Sequence, residues 1–399
     1  MYLLQDITMQ HRYLTGTIRK DLAEKMVFLG GPRQVGKTTL ATMIGKEFFH
    51  PYQYLNWDSF TDHKTILANT FQANATLLIF DELHKYRNWK NYIKGEYDKH
   101  KERYAILITG SARLDVYRKG GDSLQGRYHY YRLHPFSVAE LYEKNSSIAP
   151  LQKLDFPDLD KDVHAEFETL LLFGGFPEPF LSGKARTLRR WQNQRTERLV
   201  REDIRDVQTM RDLSSMQVLV SLLPQRVGSL LSLNALREDL QISHKTIAHW
   251  MDILEQFYYQ YRIYPFASTA IKSLRKEPKL YLWDWSEVMD EGARLENLVA
   301  SHLLKFCHFL KDVEGYKTEL RYLRDIEGRE VDFLVTVDQK PWFAVEVKQS
   351  VPKKHVQLQY FGRKLAIPFL FTVVQTQGID VLQDDVRIMS AEKFLGGLV

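Results

Sequence analysis

The densest chemistry in the chain sits in Gly31-Pro32-Arg33-Gln34-Val35-Gly36-Lys37-Thr38, followed by Thr39. The spacing fits G-x-x-x-x-G-K-[ST], a loop whose backbone wraps phosphate oxygens. Its glycines let the main chain approach phosphate and take positive φ. Lys37 has the reach to neutralise β- and γ-phosphates, and a hydroxyl at Thr38 is suited to magnesium. The helical pattern TTLATMIGKEFF opens directly after the loop. A helix start there adds free N–H groups and the positive end of a dipole.

Further residues complete that chemistry. The apolar run TLLIFDE ends in Asp81 and Glu82. Asp81 is placed to hold a magnesium shell, and Glu82 to polarise an attacking water as general base. A second apolar run, YAILITGS, ends in Thr109-Gly110-Ser111. Ser111 is the first choice for a polar sensor of the γ-phosphate, with Thr109 second. Arg127 stands just before the run YHYYRL and is a candidate for neutralising transition-state charge, in its own chain or across a subunit contact. Arg113 is its rival, and an ordinary ion-paired arginine is the plain alternative for either.

A second cluster lies near the C-terminus. GREVDFLVTVDQKPWFAVEVKQS predicts two strands joined by a turn around Asp338-Gln339-Lys340. If Val337 pairs with Pro341, Asp332 lies across from Glu346. Side chains alternate along a strand, so Lys348 shares that face. A solvated cross-strand salt bridge is the plain alternative. Glu296 lies on the preceding amphipathic run GARLENLVASHLL.

Taken together, GGPRQVGKTTL, LLIFDELHK, ITGSARLD and GDSLQGRYHYYRLHPFS resemble AAA-plus-type P-loop ATPases of bacteria and archaea that carry a C-terminal region of unknown function. FGGFPEPFL, RLVREDIRDV, GREVDFLV and AVEVKQS extend the resemblance over nearly the whole chain. It implies ATP rather than GTP, and a nucleotide site on Gly31, Gly36, Lys37, Thr38, Asp81 and Glu82. The D-x13-E-x-K pattern resembles the restriction-endonuclease-like core. That resemblance implies magnesium on Asp332 and Glu346, a lysine at Lys348 that helps generate hydroxide, and a further acid at Glu296.

These groups need elements to position them. At 399 residues the chain predicts two or three domains. Strands alternating with helices predict an α/β P-loop domain with a mostly parallel sheet over 1–148. A helical and winged-helix domain follows over 149–266, then an α/β restriction-endonuclease-like domain over 267–399. In the middle region LSLNALREDLQISHKTIAHWMDILEQFYYQYRIYPF predicts a helix pair with Ser243 as N-cap and FYYQYRIYPF as wing strands. One reading then sets Ser243, His244, Lys245 and His249 near a DNA groove; Asp252 and Glu255 weigh against tight phosphate contact, and a packing or nucleotide-sensing module is the favoured alternative.

Composition narrows the partners. Hydrophobic residues at 44% and charged residues at 26% are those of a globular protein. No apolar run approaches the ~20 residues of a membrane span. No membrane partner and a cytoplasmic setting are therefore expected. The one cysteine, Cys307, excludes an internal disulfide and a cysteine zinc cluster. A net charge of +5 permits DNA as a partner without arguing for it. An arginine acting across a contact would need a homo-oligomer. The expected activity is Mg²⁺-dependent ATP hydrolysis, with DNA handling by a nuclease-like C-terminal domain. The rival is a nucleotide-driven switch or scaffold whose C-terminal domain binds a protein partner.

Overall fold

The computed structural model describes residues 12–110, 124–142, 148–156, 163–204, 212–267 and 277–399. The chain divides into two compact units, Met1–Pro135 with Gln256–Tyr258, and Phe136–Glu255 with Tyr259–Val399.

The first unit has five strands: β1 (Met26–Gly30), β2 (Tyr52–Asn56), β3 (Leu77–Asp81), β4 (Ala105–Thr109) and β5 (Tyr128–Arg132), with TLLIFDE, YAILITGS and YHYYRL giving β3, β4 and β5. All neighbours are parallel, in the order β2-β3-β4-β1-β5. β1 and β3 are buried along their whole length, which is why they read as continuous apolar runs. Around the sheet lie α1 (Thr15–Asp21), α2 (Lys37–Phe48), α3 (Phe60–Ala68) and α4 (Trp89–His100). Phe28, Leu78, Phe80 and Ile108 pack with Trp89 and Ile93 of α4. The order sets the carboxyl ends of β3, β4 and β1 side by side. Ligands of open α/β sheets bind at that edge.

The second unit holds α5 (Val163–Phe173), α6 (Ala185–Arg198), α7 (Leu213–Leu222), α8 (Leu233–Leu240) and α9 (His244–Gln256), then β6 (Gln260–Ile263) and β7 (Lys279–Leu282). The long α10 (Glu291–Asp312) precedes a mixed six-stranded sheet. Its strands are β8 (Thr318–Arg324), β9 (Glu330–Val337), β10 (Lys340–Lys348), β11 (Phe369–Val374), β12 (Asp380–Gln383) and β13 (Val386–Ser390), in the order β12-β13-β11-β10-β9-β8. α11 (Val356–Leu365) joins β10 to its parallel neighbour β11. Among the described residues no helix is long and apolar enough to cross a membrane.

A break at 266/267 would cut a two-stranded sheet, because β6 pairs antiparallel with β7 from Gln260↔Leu282 to Ile263↔Lys279. FYYQYRIYPF therefore supplies one strand, not the two expected of it. Trp285 Nε1 also donates to Leu170 O at 2.8 Å, tying the last region to α5. The first compact unit runs to Pro135. Phe136 N–H donates to Gly175 O at 2.7 Å, and Lys305 Nζ is buried against Ser137 Oγ (2.7 Å) and Glu140.

FGGFPEP leads from α5 into a short helix, Pro177–Ser182, and Phe176 at its start is fully buried against Trp191. Arg195 lies over Phe176, 4.6 Å from the ring centroid, and pairs with Glu287 at 2.9 Å. Tyr259 Oη donates to the other Glu287 oxygen at 2.8 Å. Burial, with Asp284 adding and Arg195 opposing, pushes the Glu287 carboxyl up to about 7. Cys307 is buried within α10.

Candidate nucleotide site and a second charged cluster

The glycine loop leaves β1 and re-enters the fold at α2. Gly31 has φ +132°, and a Cβ there would stand 2.4 Å from Leu133 O, so no side chain fits. Gly36 caps α2 at φ 97°. Both are conformations that glycine adopts readily. Lys37, the first residue of α2, is buried and donates to Gly31 O at 3.0 Å and Pro32 O at 2.7 Å. Thr38 and Thr39 are exposed at the loop surface. Arg33 is half-buried, Gln34 exposed and Val35 buried.

Asp81 ends β3 and gathers three hydroxyls. Thr38 Oγ1 donates to its Oδ2 at 2.9 Å, Tyr54 Oη to the same oxygen at 2.7 Å, and Thr109 Oγ1 to Oδ1 at 2.6 Å. Register explains the convergence. Asp81 pairs with Asn56 of β2 and Thr109 of β4, and Tyr54 lies two residues before Asn56 on the same face. Burial, then the Asp81 carboxylate, raises the Tyr54 phenol well above its usual value. The Thr38 hydroxyl beside the Asp81 carboxylate is an all-oxygen donor pair, which fits a hard cation such as magnesium.

Glu82 follows with φ 57°. Its Oε2 is buried, with His84 Nε2 at 3.6 Å and Lys85 Nζ at 3.5 Å. Lys85 also pairs with Asp58. Ser111 and Arg113 lie outside the described residues. Arg127 is not brought to the loop of its own chain. Its carbonyl accepts from Met26 N–H at the amino-terminal end of β1, the sheet edge opposite the phosphate loop. Its guanidinium forms a two-pronged pair with Asp98 of α4, at 2.7 and 3.1 Å.

Two residues at this site carried no sequence signal. Tyr54 reads as one apolar residue of a strand. Arg12 reads as part of an N-terminal polar run, yet its buried guanidinium donates to Val35 O of the loop at 2.9 Å and to His134 O.

The second cluster forms around the β9–β10 hairpin. Its turn is tighter than expected: Val337 pairs with Lys340, and Asp338 and Gln339 both have positive φ, as a two-residue turn with type I′ twist requires. The register then slips by one between Pro341 and Phe343, so Val335 faces Phe343 and Phe333 faces Val345. That bulge restores the phase that brings Asp332 towards Glu346. Asp332 Oδ2 accepts from Val347 N–H at 2.9 Å, and Lys348 Nζ pairs with Glu346 at 3.0 Å.

The centre of this cluster is occupied by a residue absent from the sequence expectation. Lys279 of β7 is buried, with Nζ 2.6 Å from Glu330, 3.4 Å from Asp332 and 3.6 Å from Glu296. Burial opposes its charge, but Glu296, Asp332 and Glu330 outweigh burial and raise its pKa. Glu296 also accepts from Tyr281 Oη at 2.7 Å. Burial and then Asp332 push its carboxyl up to about 7, against the pull of Lys279. Among the described residues no three of His, Cys, Asp and Glu come together in a way that could hold a metal ion.

In the middle region, Thr246 N–H donates to Ser243 Oγ at 3.1 Å at the start of α9, and His244, Lys245 and His249 are exposed. Asp252 and Glu255 are both paired with Arg262 of β6.

Comparison with known proteins gives three matched segments. Residues 23–142 match a family described as AAA domain. Residues 164–288 and 291–394 match two families described as domains of unknown function, DUF8612 and DUF4143. The chain therefore carries a P-loop ATPase-like AAA domain followed by two domains of unknown function. An uncharacterized protein of Methanocaldococcus jannaschii is 23% identical over 329 residues, covering 71% of this chain and 68% of that protein. Uncharacterized proteins of Mycobacterium bovis and Mycobacterium tuberculosis are each 24% identical over 262 residues, 65% of this chain and 54% of theirs. Among solved structures, the RuvB Holliday junction branch migration motor of Thermotoga maritima matches at 15% identity and TM-score 0.28, over 65% of this chain and 87% of that one. A TM-score of that size carries no argument.

Proposed function

We propose that this chain binds and hydrolyses ATP with magnesium, as an AAA-plus-type ATPase. The observation that carries the reading is the meeting of Lys37, Thr38 and Asp81 where β1 and β3 end. The glycine loop and the start of α2 would take the phosphates on backbone N–H groups. Lys37, now bonded to its own loop carbonyls, would exchange them for phosphate oxygens. Thr38 and Asp81 would hold magnesium, which supplies charge neutralisation between the phosphates when bound. Glu82 would take a proton from the attacking water, and Thr109 fixes the Asp81 carboxylate. Ser111 remains the proposed γ-phosphate sensor. Arg127 would act only across a contact between copies.

Lys37→Ala should abolish ATP binding, and Glu82→Gln should leave binding largely intact while stopping turnover. Lys37→Ala protein that binds ATP like the parent would sink the assignment.

For the C-terminal region, the proposed role under the resemblance is DNA handling, with Glu296, Asp332, Glu346 and Lys348 as the nuclease-like set. A specific observation favours the second reading, a switch or scaffold whose C-terminal domain binds a partner. Lys279 already pairs with Glu296 and Asp332 of that set, and with Glu330 beside them. Cleavage of labelled DNA with Mg²⁺ or Mn²⁺, with and without ATP, separates the two. Cleavage lost in Asp332→Ala favours the nuclease; no cleavage from protein that hydrolyses ATP favours the switch.

A further inference from the structure

From Lys184 to Thr196 the chain carries Lys184, Arg186, Arg189, Arg190 and Arg195 and no acid; Glu197, the one acid of α6, pairs with Arg201 at 3.6 Å. Helix α6 sorts these cations onto two faces. The inner face holds buried Trp191, Gln192 donating to Ser286 at 3.0 Å, and Arg195 paired with Glu287. The outer face holds Arg186, Arg189 and Arg190, which the i, i+3 and i+4 spacing groups together. All three are exposed, as is Lys184 before them. Among the described residues none of the four has an ion-pair or hydrogen-bond partner for its side chain. Like charges at these spacings repel, so the face is unfavourable until an anion covers it.

We propose that this face of α6 binds the phosphate backbone of duplex nucleic acid. Guanidinium groups match phosphate with two parallel N–H donors. Arg186 and Arg190 are about 6 Å apart along the axis, close enough to take neighbouring phosphates of one strand. No large apolar or aromatic side chain is exposed on α6. Single strands are held by aromatic stacking, and membrane surfaces by an inserted apolar face, so neither suits this helix. α9 is the weaker candidate for backbone contact, because its acids Asp252 and Glu255 lie beside Arg262. The proposal goes beyond ATP hydrolysis and does not depend on it.

The test is fluorescence anisotropy of the full chain with a labelled duplex of arbitrary sequence, titrated over a range of salt. The parent should bind with a steep salt dependence. The triple variant Arg186→Gln, Arg189→Gln, Arg190→Gln should bind at least about tenfold more weakly at low salt, with the log–log slope reduced by about 3. Its ATP turnover and circular dichroism should match the parent. Lys245→Gln on α9 should bind within about twofold of the parent, as one peripheral phosphate contact at most is lost. If the triple variant does not fold, Arg190→Glu alone should still weaken duplex binding. Parent-like affinity and slope in the folded arginine variants overturn the proposal. So does a parent that binds no duplex, one that prefers single strands, or one whose arginines matter only for vesicles rich in phosphatidylserine.

Discussion

The Lys279 ammonium stands 3.4 Å from the Asp332 carboxylate, where the sequence pattern alone leaves room for a metal ion. The pairing joins β7 to β9, and Glu296 of α10 closes the group. Removing one partner of a buried charge group leaves the others uncompensated. Lys279→Met should therefore destabilise the second unit by about 3–5 kcal/mol. Denaturant unfolding measures it, and a loss below roughly 1 kcal/mol would show that the acids relax into solvent.

Tyr54 offers a sharper test of the nucleotide site. Its hydroxyl shares Asp81 Oδ2 with Thr38, so Tyr54→Phe frees one hydrogen bond without opening a cavity. A bond to a charged group contributes roughly 1.5–3 kcal/mol. We expect the magnesium concentration for half-maximal turnover to shift about tenfold or more, with nucleotide affinity in EDTA unchanged. Equal changes in both would mean that Tyr54 acts on the loop as a whole.

Arg127 is spoken for by Asp98 within its own chain. Arg127→Ala should leave turnover of dilute protein unchanged. If turnover per chain rises with protein concentration, and the variant loses that rise, the arginine works on a neighbouring copy.

Glu287 predicts a pH dependence. Its carboxyl ionises near 4.5 in the unfolded chain but only at about 7 when buried. The folded state therefore holds the proton more tightly. This contribution to stability is full below about pH 4.5 and is lost as pH rises to about 7. Glu287→Gln cannot titrate, so the stability difference between parent and variant should change by a few kcal/mol across that window. Chemical denaturation at several pH values reads it, and parallel curves for the two proteins would refute it.

How much of this was legible beforehand depends on distance along the chain. The parallel sheet was visible because each buried strand is one unbroken apolar run, and because Gly31 to Thr38 are contiguous. Asp81 and Thr109 could be noticed because each ends such a run. Tyr54, Arg12 and Lys279 were not visible. Their partners lie far off in sequence, and a tyrosine or lysine within a strand looks the same whether it faces a carboxylate or solvent. A boundary at 266/267 falls between β6 and β7, which pair with each other, and strand pairing leaves no mark on local composition.

The slip between Pro341 and Phe343 has a consequence for comparing sequences. The number of residues separating Asp332 from Glu346 is not a free-standing signature; beyond the paired strand residues it includes a two-residue turn and one inserted residue. A homologue that lacks the insertion can keep both acids on one face only with a spacer one residue shorter. A homologue that keeps the spacer but straightens the strand would turn one of them to the opposite face. Motif searches that allow a one-residue gap here, coupled to the loss of the Trp342 position, would recover relatives that a rigid spacing discards.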